Sequence, residues 1–141
     1  VQGAGIRAAK TLLAELEERM AEKQVLTRAA ILAAVDIQTE EVYVPEWGGT
    51  VWVRGLTGAE RDEFEKGILI ERKRGFSVEL ANFRAKLAAM SMVDAQGQRL
   101  FSEADVAALG KKSAAALGRV YDAAARLAGL SAEDVEELTK N

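Results

Sequence analysis

The sequence contains no cysteine, no histidine and a single proline in 141 residues. Without cysteine there is no disulfide framework, no thiolate metal site and no thiol nucleophile. Without histidine the chain also lacks a common zinc ligand, the usual general base near neutral pH, and both the Ser-His and Cys-His catalytic pairs. No apolar run approaches the roughly 20 residues that a membrane-spanning helix needs. Residues 1–10 lack the apolar core of a signal peptide. A cytoplasmic protein without membrane contact is the expectation. Nineteen basic residues stand against 22 acidic ones, a net charge of −3, so the clustered basic excess of a nucleic-acid surface is missing too.

What is present fits a small globular α+β protein. A chain of 141 residues is near the commonest domain size and can bury a core. Its hydrophobic content of 49% and charged content of 29% are close to the globular average.

The stretch from Val42 to Glu65 organises the rest, because its period changes from alternating to helical within a few residues. Val42 and Val44 alternate with Glu41, Tyr43 and Pro45, and Val51 and Val53 alternate with Trp52 and Arg54. Gly48-Gly49 between them supplies the positive φ of a tight turn, so the segment predicts a β-hairpin. Thr57-Gly-Ala-Glu60 has the Ser/Thr-x-x-Glu form of a capping box, which starts a helix directly after the hairpin.

Ahead of it, Ile6, Ala9, Leu13, Leu16 and Met20 step by three and four, which predicts an amphipathic helix over 6–23. It reads either as a helix docked on its own domain or as a partner-binding or self-association helix. Met20-Ala-Glu-Lys-Gln reads like a natural protein start, so residues 1–19 read as an extension, or else Met20 is simply an apolar helix residue. The expected division is 1–24 as the amphipathic helix and 25–141 as the main domain. Thr27 predicts the N-cap of a short helix over 28–34, with Ile31, Leu32 and Val35 on one side.

Beyond the capping box, a helix is expected over 58–71 with Phe64, Ile68 and Leu69 inward, ending at the basic run Arg72-Lys-Arg74. Ser77 or Asn82 would cap the next helix, over 81–92, whose Leu80, Phe83, Leu87 and Met90 mark the central core helix. Asp94-Ala-Gln-Gly97 reads as a turn; it lacks the alternating ligands of a calcium loop. Ser102-Glu-Ala-Asp105 is a second capping-box start, for a short helix that stops at Gly110. A long helix over 111–128 follows, closed by Gly129, and then an acidic helix over 133–140. The end at Asn141 reads as a completed domain.

No catalytic constellation accompanies these elements. The adjacent carboxylates Glu17/Glu18, Glu40/Glu41 and Glu136/Glu137 cannot converge on one substrate atom. No phosphate-binding loop and no nucleophile elbow occur, and no cofactor or metal is expected.

The strand, Pro-Glu-Trp-Gly-Gly, second strand and Leu-Thr-Gly-Ala-Glu-Arg-Asp-Glu-Phe-Glu65 resemble the tail assembly chaperones of long-tailed bacteriophages. The runs from Ser91 to Ser102 and from Leu109 to Asp122 resemble the same family in the same order. The resemblance extends from about Leu26 to Asn141, and it leaves out the first helix. It implies a non-catalytic protein that binds the tape measure protein and recruits tail tube subunits in the cytoplasm of the infected bacterium. Such a chaperone would be absent from the finished particle. Partner-binding candidates are the Ile6, Leu13, Leu16 and Met20 stripe, the aromatics Tyr43, Trp47 and Trp52, and the alanine-rich face of the last long helix. Self-association into a ring or spiral around a client would fit this reading. The competing readings are a minor tail or connector protein retained in the virion, and a DNA-binding regulator. Lys111, Lys112 and Arg119 make a poor recognition helix for the latter.

Overall fold

The computed structural model describes residues 2–78, 82–130 and 132–139. Backbone contacts divide the chain into two compact units, 1–36 and 37–141.

The first unit holds α1 (Gln2–Glu22) and α2 (Arg28–Ala33). Thr27 caps α2 as the sequence predicts, its Oγ1 accepting a 3.2 Å hydrogen bond from the Ala30 N–H. Every residue from 3 to 36 is exposed, Ile31, Leu32 and Val35 included.

The second unit is the α+β fold that the alternating and helical periods predict. In order it runs β1 (Thr39–Val44), a 3-10 turn (Pro45–Trp47), β2 (Gly49–Arg54), α3 (Gly58–Ile68), β3 (Leu69–Arg72) and β4 (Gly75–Val78). Then follow α4 (Phe83–Ser91), β5 (Met92–Val93), a 3-10 turn (Glu103–Asp105), α5 (Val106–Leu109), α6 (Ala114–Leu127) and α7 (Ala132–Thr139). Strands β1, β2 and β5 form an antiparallel sheet in that order.

The hairpin register pairs Val42 with Val51 and Val44 with Gly49. Of the two glycines only Gly48 takes the left-handed conformation, at φ 72°, because Gly49 already belongs to β2. Val44 and Val53 are fully buried, and they join Phe64, Ile68, Leu87, Met92 and Val120 in one core between the sheet and the helices. Two ion pairs fasten the hairpin to α6 from outside: Arg126 to Glu40 at 2.6 Å, and Arg119 to Glu46 at 3.0 Å. The N–H of Glu46 and the Arg119 guanidinium hold the Glu46 carboxyl below its usual range against a smaller upward push from desolvation.

Helix α6 ends in a Schellman motif. The Gly129 N–H donates to the Arg126 carbonyl and the Leu130 N–H to the Ala125 carbonyl, with Gly129 at φ 74°.

Several boundaries differ from the sequence reading, the start of α1 at Gln2 instead of Ile6 among them. Helix α3 stops at Ile68 instead of continuing to Glu71, and the chain forms a second hairpin in which Arg72 pairs with Gly75. Gly67 weakens the last helical turn, and Gly75, at φ 91°, lets the Lys73-Arg74 turn reverse the chain. Leu69 therefore begins a strand and is 43% exposed instead of facing inward. Ser77 lies in β4, paired with Ile70, and does not cap α4, whereas Asn82 holds the N-cap position, in the left-handed conformation and without a side-chain capping bond. Leu80 and Ala81 lie outside the described residues. Helix α4 ends at Ser91 because Met92 and Val93 pair with Val53 and Trp52. Helix α6 starts at Ala114, where Ser113 caps it, and not at Lys111.

Candidate functional site

The hairpin presents two chemically different faces. Period-two alternation sends Val42, Val44, Val51 and Val53 toward the core and their neighbours outward. Glu41 pairs with Trp52, and Tyr43 with Thr50. Directly opposed residues share a face, so Tyr43 and Trp52 are diagonal neighbours on the outer side. They are 65% and 41% exposed. Val93, opposite Trp52 on β5, lies on that same face and is nevertheless buried. The outer face is thus covered at Val93 on β5 and open at Trp52 and Tyr43.

One end of this face is held by Glu60. The capping box is complete: the Glu60 N–H donates to Thr57 Oγ1 at 3.1 Å, and Glu60 Oε1 accepts from the Thr57 N–H at 2.9 Å. The same carboxylate accepts from Arg54 Nη1 at 3.1 Å and from Arg99 Nη2 at 2.8 Å. Burial of the carboxyl pushes its pKa up, but the Thr57 N–H, Arg99 and Arg54 together outweigh that push and hold it at about 2. Arg54 follows Trp52 by two residues on β2, and Arg99 bridges to Val93. The aromatic patch is therefore bordered by two guanidinium groups whose positions one carboxylate fixes.

Trp47 does not join that patch. It packs against the core and lines a cavity of about 440 Å³ with Phe101, Ala108 and Leu109. A second cavity of about 380 Å³ lies between Phe64, Met90, Phe101 and Val106, with Lys66, Lys86 and Glu103 also lining it. Phe101 lines both. Phe101 is a residue that the sequence reading does not single out. The available signal was an apolar pair set between Arg99 and Ser102.

Along α1, Ile6, Leu13, Leu16 and Met20 are between 54% and 73% exposed. Their spacing places them on one side of the helix, as the sequence predicts. The alanine-rich face of α6 is a different matter. Ala116, Ala123, Ala124 and Ala125 are buried in the core, where their small side chains let α4 and the sheet approach closely, so these four are not available to a partner, whereas Ala114 and Ala115 in the first turn are exposed. Among the described residues no group of three or more acidic side chains could hold a metal ion. No helix among them is long and apolar enough to cross a membrane.

A family model described as phage tail assembly chaperone matches residues 26–141. The chain belongs to this family. The match takes in both hairpins, the Glu60 network and Phe101 of the chaperone, and it leaves out α1. Membership implies interaction with other tail proteins. No curated protein and no solved structure matches the chain.

Proposed function

We propose that this chain is a non-catalytic chaperone that binds the tape measure protein and promotes assembly of the tail tube, in the cytoplasm of the infected bacterium. A chaperone of this kind must hold apolar client segments in solution, so it needs apolar surface on a scaffold that does not itself collapse. The observation that carries the reading is the outer face of the β1-β2 hairpin. Tyr43 and Trp52 stay exposed there while the opposite face of the same strands is anchored in the core.

Aromatic side chains with few rotatable bonds bury large area at low entropic cost, which suits a surface that binds and later releases its client. The flanking Arg54 and Arg99 add planar donors for client carboxylates. Family membership and this exposed surface support the tape measure protein and the tail tube protein as the partners.

The test is co-expression of the chain with the phage tape measure protein, followed by size-exclusion chromatography with light scattering and mass spectrometry of mature particles. The expected result is a soluble complex whose client is insoluble alone, and no copy of this chain in finished tails. A client that stays insoluble, together with stoichiometric amounts of the chain in purified virions, would make it a structural tail protein instead.

A further inference from the structure

The apolar stripe of α1 has a charge pattern that selects its own partner. The stripe follows a heptad, with Ile6, Leu13 and Met20 at a, Ala9 and Leu16 at d, Lys10 and Glu17 at e, and Leu12 and Arg19 at g. Arg7, Glu15, Glu18 and Glu22 lie on the opposite side. The stripe is exposed along its length, and no residue from 3 to 36 is buried.

We propose that α1 docks against α1 of a second copy of this chain as an antiparallel helix pair, Leu13 of each copy facing Leu16 of the other and Lys10 facing Glu17. Two features favour this occupant and this direction. In an antiparallel pair the e positions face each other, so Lys10 meets Glu17 of the other copy twice, once at each side of the two-fold axis. In a parallel pair g faces e, which sets Leu12 against Glu17 and leaves no opposite charges matched. The second feature is size. Antiparallel pairing sets a against d, so Ala9 packs on Met20 at the outer layers and Leu13 on Leu16 at the inner ones. The outer layers then join a small side chain to a large one and the inner layers two leucines, and the 21 residues of α1, roughly 31 Å long, provide these four layers, with Ile6 beyond them.

The helix lies outside the segment that matches the chaperone family. The proposal therefore stands independently of which client the rest of the chain binds.

The chain has no native cysteine, so introduced cysteines report the direction without background. Full-length Ala9→Cys and Met20→Cys chains, mixed and oxidised with glutathione disulfide, are expected to form the mixed disulfide dimer, while Ala9→Cys alone gives little. Rapid disulfide formation by Ala9→Cys alone would show a parallel pair and overturn the proposal. By light scattering, the unmodified chain is expected to dimerise and Leu13→Glu to stay monomeric. Lys10→Glu is expected to weaken the dimer by about tenfold, and Lys10→Glu combined with Glu17→Lys to restore it. An unmodified chain that remains monomeric into the submillimolar range also overturns the proposal, and leaves the stripe to another part of the chain or to the client.

Discussion

Arg99 donates a 2.8 Å hydrogen bond to Glu60 across 39 residues of sequence. It ties the segment after β5 to the first turn of α3, and through Arg54 the same carboxylate reaches the end of β2. The end of β2, the first turn of α3 and the segment after β5 are thus fixed on one side chain, beside the exposed Trp52.

The Glu60 carboxyl makes stability depend on acid. Its folded pKa of about 2 lies below the ordinary value of 4.5. As pH falls the unfolded chain takes up the proton first, so the contribution is complete above about pH 5 and is lost progressively as pH drops toward 2. The expected size is on the order of 2–3 kcal/mol. Urea unfolding at a series of pH values should show this loss in the unmodified chain, and Glu60→Gln should be less stable at pH 7 and flatter across the series. An unchanged acid slope in the variant would mean that other carboxylates carry it.

Tyr43→Ala should separate binding from folding. The side chain is 65% exposed, so stability should change by no more than about 0.5 kcal/mol. Loss of an aromatic anchor should weaken client binding by about 2 kcal/mol, roughly thirtyfold. Trp52→Ala should weaken it at least as much, with about 1 kcal/mol lost from the sheet itself. Calorimetric melting beside client solubilisation checks both, and retention of full solubilisation by both variants counts against the hairpin face.

Gly55→Ala and Gly58→Ala should differ in sign. A Cβ at Gly55 would stand 3.0 Å from the Leu127 carbonyl oxygen, which the end of α6 holds in place, whereas one at Gly58 meets nothing within 4 Å. The first change should cost about 1–3 kcal/mol. The second, in the first turn of α3, should stabilise by about 0.5 kcal/mol. Equal midpoints in denaturant would show that the approach of Gly55 to α6 is unimportant.

Ser91 should be improvable. Its hydroxyl is fully buried and has no hydrogen-bond partner. Ser91→Ala removes the uncompensated polar atom at nearly constant shape, and should raise stability by about 1 kcal/mol, or about 3–5 °C in melting temperature. A lower melting temperature for the variant would show that the hydroxyl is satisfied in solution.

The parts legible in the sequence are those set by near neighbours. The β1-β2 hairpin was readable from valine alternation around two glycines, and α3 from Thr57 and Glu60, three residues apart. The β3-β4 hairpin was not, because Leu69, Ile70 and Glu71 continue a helical pattern until Gly75 reverses the chain. Strand β5 is two residues long and exists only because β2 pairs with it from 40 positions away (Val53 with Met92 differs by 39, Trp52 with Val93 by 41). The same limit applies to the candidate site. Tyr43 and Trp52 were legible as outward aromatics, while the place of Arg99 beside them depends on a fold-level contact that no local pattern encodes.

The two tryptophans fall on opposite sides of the hairpin, and this gives the molecule two optical reporters. Trp47 is half-buried against the core, and Trp52 is exposed. Excess emission shift on adding client should come from Trp52, whereas the signal of Trp47 should move only when the core opens. Replacing Trp47 with phenylalanine would leave Trp52 to follow docking in a chain that stays folded, and replacing Trp52 would leave Trp47 to follow unfolding.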